Sequence, residues 1–121
     1  MGLYTGIALD NVTINSGRIK ATNFATTAPV IKTAAFTVAD TENNLVCNGS
    51  ASITMTLPSA ASWVGRAINV KTIAAYTVVS ASSNVKPIDS NTAGTAILAA
   101  TAGKWATLVS DGTNWVVMAA G

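Results

Sequence analysis

The sequence contains no histidine and a single cysteine, and both scarcities restrict what the protein can do. Most catalytic triads, most zinc sites and most general bases at neutral pH depend on histidine. With Cys47 alone, no disulfide can form within the chain, so we expect folding in a reducing compartment with Cys47 as a small buried hydrophobe. The sequence therefore argues against an enzyme, and it predicts neither a metal site nor a cofactor.

Charged and aromatic residues are also scarce, at 10% and 6% of the 121 residues. Charged residues make up about 25% of a typical soluble domain. The seven basic and five acidic residues are scattered singly, so no basic patch predicts nucleic-acid binding. No apolar run reaches the roughly 18 residues of a membrane span, and no signal-peptide pattern opens the chain. A surface so poor in charge suits burial in an assembly, and we expect an obligate oligomer.

The acidic residues offer one catalytic alternative. Asp40 and Glu42 are two residues apart, so on a strand they would share a face and could form the carboxylate pair of a glycoside hydrolase. Their neighbours are Thr and Asn, which favour a solvated loop. We therefore expect no catalytic role for the pair.

Alternation of apolar and polar residues predicts an all-β fold, a small antiparallel sandwich or barrel. In the segment 52–57, for example, Ile53, Met55 and Leu57 are expected to point inward. Seven or eight such short strands follow one another at spacings near ten residues, which is typical of a sandwich or barrel. The segment 85–88 is interrupted by Pro87, which indicates an edge strand.

Two local features complete the predicted fold. A short helical turn is expected over 59–65, capped by Ser59 and ended by Gly65. A β-hairpin is expected at 105–118, because Asp111-Gly112 is a strong turn signal between two apolar segments.

Residues 1–33 differ from the rest of the chain. They contain short alternating segments separated by turn residues, such as 11–15 before Ser16-Gly17, and these strands are too short to bury themselves. We predict that 1–33 is an extended N-terminal anchoring arm and linker, and that 34–121 is a β-sandwich or barrel knob.

The large aromatic side chains allow two interpretations. Trp63, Trp105, Trp115 and Tyr76 could form a platform on which a sugar stacks. They could instead anchor a core that otherwise consists of small residues, because aromatic side chains carry much of the burial in such a core. The second interpretation is favoured.

Three motifs occur in a fixed order in the knob. They are a strand ending in Leu57-Pro58, a turn leading to Gly65-Arg66 and a second strand, and a hairpin carrying Ser110-Asp111-Gly112-Thr113-Asn114-Trp115. Over about residues 35–120 this order resembles a β-module found in tailed-bacteriophage virion proteins. Residues 9–19 likewise look like the β-stem segments of phage fibres. The resemblance implies a homotrimeric structural module without cofactor or catalysis.

The length of the arm bears on where such a module would sit. The roughly 30 residues before the knob, beginning at Met1, reach at most about 100 Å, enough to clamp a surface but too short for a long shaft. This favours a capsid decoration (cement) protein or short head fibre, made in the host cytoplasm and located in the virion. It would bind the major capsid protein or another virion protein, without nucleic-acid or membrane binding. The predicted attachment residues are Leu3, Tyr4, Ile7, Leu9, Val12, Ile14, Ile19 and Phe24. The alternative is a tail-fibre or receptor-binding tip that recognises a host surface glycan.

Overall fold

Ten short strands and one 3₁₀ helix form the fold in the computed structural model, which describes residues 15, 17, 20–23 and 25–121. The strands are β1 (Val30–Lys32), β2 (Phe36–Thr37), β3 (Asn44–Cys47), β4 (Ile53–Thr56), β5 (Ala67–Thr72), β6 (Val78–Ser80), β7 (Val85–Lys86), β8 (Ala96–Leu98), β9 (Trp105–Ser110) and β10 (Trp115–Ala120). The 3₁₀ helix spans Ala60–Ser62. In the described part of the chain no helix is long and apolar enough to cross a membrane.

The strands form two sheets, and the chain alternates between them. The six-stranded sheet has the order β1-β3-β5-β9-β10-β7, and the four-stranded sheet has the order β2-β4-β6-β8. From β1 to β6 each strand crosses to the opposite sheet, so each return lies parallel to the previous strand of its own sheet. The predicted all-β sandwich is confirmed, and the segment around Pro87 follows β7 at a sheet edge as predicted.

The strand directions correct the expectation of an antiparallel fold. Among the residues that the structure describes, five strand pairs are parallel and three, β5 with β9, β9 with β10 and β6 with β8, are antiparallel. Apolar alternation has a period of two in both arrangements, so it indicates a strand without indicating its direction. In four of the five parallel pairs, a single strand in the opposite sheet serves as the crossover that the pair requires.

The core lies between the two sheets and consists mainly of the inward-facing residues of β3 to β10, and Val30 of β1 and Phe36 of β2 pack against it while partly exposed. Ile53, Met55 and Leu57 are all buried, as the alternation predicts. Cys47 is fully buried, and this burial raises the pKa of its thiol to about 11. It therefore packs as a small hydrophobe, as expected.

The predicted hairpin forms β9 and β10. Asp111 Oδ1 accepts hydrogen bonds from the backbone N–H groups of Thr113 (2.9 Å) and Asn114 (2.7 Å), which fixes the turn. Gly112 has φ of +93°, a conformation that favours glycine because it has no Cβ. The turn residues thus do what the sequence predicts.

The 3₁₀ helix lies within the predicted helical turn at 59–65. Gly65 follows it with φ of +77°, as expected for a residue that ends such a turn. The predicted capping role of Ser59 is wrong, because its side chain makes no capping hydrogen bond. Its backbone carbonyl instead accepts the N–H of Ser62 at 3.0 Å.

Candidate functional site

The predicted attachment residues lie outside the described residues. They are Leu3, Tyr4, Ile7, Leu9, Val12, Ile14, Ile19 and Phe24. The structure does describe how the arm joins the knob. Asn44 Nδ2 donates hydrogen bonds to Thr26 Oγ1 (3.0 Å) and to the carbonyl of Thr27 (2.9 Å), and β1 then pairs with β3. Because β1 belongs to the sheet, the end of the arm is fixed to one edge of the knob.

The three sequence motifs, at Leu57-Pro58, Gly65-Arg66 and 110–115, converge around two buried tryptophans. Trp115 Nε1 donates a hydrogen bond to the carbonyl of Pro58 at 2.9 Å. The rings of Trp115 and Trp63 meet edge to face, with their centroids 5.8 Å apart. The guanidinium of Arg66 lies 3.5 Å from the ring centroid of Trp63. One aromatic cluster therefore joins residues from the strand end, the turn and the hairpin.

Hydrogen bonds join the same three segments through Ser110. Its hydroxyl donates to the carbonyl of Ala60 at 2.6 Å, and its own carbonyl accepts the N–H of Gly65 at 2.9 Å. Ser110 is buried, so these bonds also satisfy polar groups that water cannot reach. The motif residues thus stabilise the fold and leave little free chemistry for a ligand.

Asp40 and Glu42 are each paired with a different cation. Glu42 Oε2 lies 2.7 Å from Lys32 Nζ, and its other oxygen accepts the N–H of Ala39 at 2.8 Å. The hydrogen bond from Lys32 lowers the pKa of Glu42 below its usual value. Asp40 Oδ1 lies 2.7 Å from Arg66 Nη1. Both carboxylates therefore make structural ion pairs. Among the described residues, no three His, Cys, Asp or Glu side chains lie close enough together to hold a metal ion.

A shallow groove of about 350 Å³ on the outer face of the six-stranded sheet is the candidate site. One row of its residues runs across three strands in register, from Val46 through Lys71 to Trp105. Beside this row, Asn69 Nδ2 donates to Asn44 Oδ1 at 3.1 Å, and Thr107 Oγ1 donates to Asn69 Oδ1 at 2.8 Å. The groove thus combines an apolar wall, one ammonium group and a polar ladder whose members bond to one another.

The position of Trp105 corrects the expectation that all the large aromatic side chains are core anchors. Trp63 and Trp115 are buried as expected, but Trp105 is 44% exposed and Tyr76 is 42% exposed. The alternation in β9 carried the necessary signal, because Trp105 is one residue away from the inward-facing Ala106 and must face the other way. Trp105 therefore lines the groove.

Comparisons with known proteins give no information about the function of the groove. No protein-family model, curated protein or solved structure matches this chain. Sequence reasoning did not select Asn69, Lys71 or Thr107 as site residues. Their outward positions were readable from the alternation, but their grouping depends on the strand order, which the sequence pattern leaves open.

Proposed function

We propose that the protein is a structural component of a tailed-bacteriophage virion, a capsid decoration (cement) protein or short head fibre. Its arm, residues 1–33, clamps the capsid, and its knob projects as a homotrimer. The convergence of the three motifs around Trp63 and Trp115 carries the proposal. Residues that are distant in the chain but meet in one structural cluster are expected to recur together, which supports a shared fold behind the resemblance.

The junction between arm and knob supports the attachment role. The arm enters at an edge strand and is held there by Asn44, so force on the arm is transmitted to the sheet. In a trimer three arms act together, and effective concentration makes three weak contacts sufficient for stable attachment. The knob itself is assigned no catalytic activity, no cofactor and no nucleic-acid or membrane binding.

Deleting residues 1–27 tests the attachment role. The full chain is expected to sediment with empty capsids of the phage that encodes it, whereas the shortened chain is expected to stay in the supernatant as a folded knob. If the shortened chain still decorates capsids, the clamp is wrong. If the full chain binds host cells and no capsids, the receptor-binding alternative replaces the proposal.

A matched pair of arm substitutions separates apolar anchoring from simple loss of chain. Ile14→Asp places a charge at a predicted attachment residue, and Asn15→Asp places the same charge at the adjacent polar position. We expect capsid binding to fall at least about tenfold for Ile14→Asp, corresponding to about 1.4 kcal/mol or more. Asn15→Asp should bind like the unchanged protein, and equal losses in the two variants would contradict apolar anchoring.

A receptor-binding tip is the second candidate because one observation favours it. Trp105 is exposed beside Asn69 and Thr107, and an aromatic face with nearby hydrogen-bonding groups is a suitable surface for a sugar ring. Binding of the knob to host surface glycans, lost in Trp105→Ala, would support this candidate.

A further inference from the structure

The groove beside Trp105 lies on a sheet face of a kind that is usually covered. The strands β1, β3 and β5 are parallel, and parallel strands normally have both faces packed against other structure. Here the outer face carries Ile31 at 63% exposure and Trp105 at 44%. This face therefore has the character of an interface.

The polar groups of the groove favour a protein partner over a sugar. Asn44, Asn69 and Thr107 already bond to one another across the strands, which satisfies much of their capacity. The surface that remains is dominated by Trp105 and Val46, with Lys71 beside them. Such a groove fits an apolar side chain accompanied by a carboxylate. Its volume of about 350 Å³ equals that of roughly twelve liquid waters, enough for a large side chain.

The ion pairs of the knob show which carboxylate is available to accompany an apolar side chain into the groove. Ion pairs within the described residues use Glu42, Asp40 and Asp111. Among the acids that the structure describes, Asp89 alone has no ion-pair partner, and it is exposed. Lys71 in the groove is likewise without an ion-pair partner in the described part of the chain. The two charges are therefore available to each other in neighbouring copies.

Asp89 lies at the tip of a turn that also presents an apolar side chain. The N–H of Ser90 donates to the carbonyl of Pro87 at 3.4 Å, which closes the turn around Ile88 and Asp89. Ile88 is 60% exposed. Pro87 restricts the backbone at the start of the turn, so little conformational freedom is lost on docking. The turn thus offers the apolar and acidic pair that the groove fits.

We propose that the Ile88-Asp89 turn of one copy docks into the Trp105-Lys71 groove of the next copy. The turn follows β7 at one edge of the six-stranded sheet, and β10 separates β7 from the Trp105 strand β9. Turn and groove are thus different surfaces of one chain, which makes the contact head-to-tail. A head-to-tail contact closes into a ring of three copies when successive copies are related by a rotation of one third of a turn. The inference rests on the proposed function, which supplies the number of copies in the assembly, three.

Charge exchange between the two surfaces tests the contact. Asp89→Lys and Lys71→Asp each place like charges against each other, and each is expected to weaken assembly about 100-fold in sedimentation velocity experiments over a concentration series. The double variant restores an opposite-charge pair with its direction reversed, and it should assemble within about tenfold of the unchanged protein. Lys104→Asp is the control, because it makes the same charge change next to Trp105 at a residue that does not line the groove. Asp89 and Lys71 are exposed and Lys104 is half-buried, and circular dichroism checks that each variant is folded.

The outcomes separate this contact from the proposed function. Single variants that assemble like the unchanged protein, or a double variant that is not restored, would overturn the contact while leaving a trimer and capsid attachment intact. An unchanged protein that is monomeric at micromolar concentration would overturn both the contact and the trimer, and capsid sedimentation would still test attachment separately. A monomer whose tryptophan fluorescence changes on addition of host glycans, with no such change in Trp105→Ala, would overturn the contact in favour of a sugar in the groove.

Discussion

Replacing Trp115 with phenylalanine tests whether the aromatic cluster stabilises the knob as the contacts indicate. Trp115 is fully buried, and its Nε1–H donates to the carbonyl of Pro58 at 2.9 Å. Trp115→Phe removes this donor and leaves the carbonyl without that partner, which costs about 1–3 kcal/mol. The smaller ring adds about 1 kcal/mol through the cavity that it leaves. We therefore expect a loss of about 2–4 kcal/mol in the free energy of unfolding, which lowers Tm by roughly 10–25 °C.

Urea unfolding followed by circular dichroism measures this loss. Tyr76→Phe is the control, because Tyr76 is 42% exposed and removal of its hydroxyl should change stability by no more than about 0.5 kcal/mol. The reasoning would be refuted if Trp115→Phe unfolded within about 0.5 kcal/mol of the unchanged protein. That result would mean that the hydrogen bond to Pro58 contributes nothing net and that the core closes around the smaller ring.

Two further predictions concern a charge and a turn. Lys32 lowers the pKa of Glu42, so the ion pair stabilises the folded protein above the usual pKa of 4.5, and this stabilisation is lost as the pH falls below that value. Glu42→Gln should therefore lower the free energy of unfolding by about 1 kcal/mol at neutral pH and by progressively less in acid. Urea midpoints across a pH series measure this difference. Gly112→Ala should cost about 1–2 kcal/mol because Gly112 has φ of +93°, whereas Gly94→Ala, with open space around the added methyl group, should be nearly neutral. Equal costs for the two alanine substitutions in thermal unfolding would contradict the turn geometry.

The sequence predicts local structure well and long-range order poorly, for a definite reason. Side-chain alternation depends on adjacent residues, so the burial of Ile53 and Met55 and the turn at Asp111-Gly112 could all be anticipated. The direction and order of strands depend on which segments pair, and short strands with the same alternation fit many pairings. The parallel winding of β1, β3 and β5 was therefore not predicted.

In the candidate site, too, the local features could be predicted from the sequence and the long-range grouping could not. The exposure of Trp105 could be predicted from its outward position in β9. Tryptophan is usually largely buried, and this tendency favoured the wrong prediction of a core position. The grouping of Lys71 with Trp105 required the pairing of β5 with β9, which no local pattern specifies. A site assembled from the outward faces of several strands becomes visible only when the sheet order is known.

The winding of the chain between the two sheets has a consequence for how the protein folds. Neighbouring strands of the six-stranded sheet join Val30 to Leu45, Leu45 to Val70, and Val70 to Ala106, which are 15, 25 and 36 residues apart. Contacts over such separations must overcome the entropy of closing long loops before they stabilise the chain, which places folding in the range of about milliseconds to seconds. During synthesis one edge of β5 remains unpaired until β9 has emerged from the ribosome. That open edge is the point at which an incomplete chain is most prone to pair with another chain and aggregate.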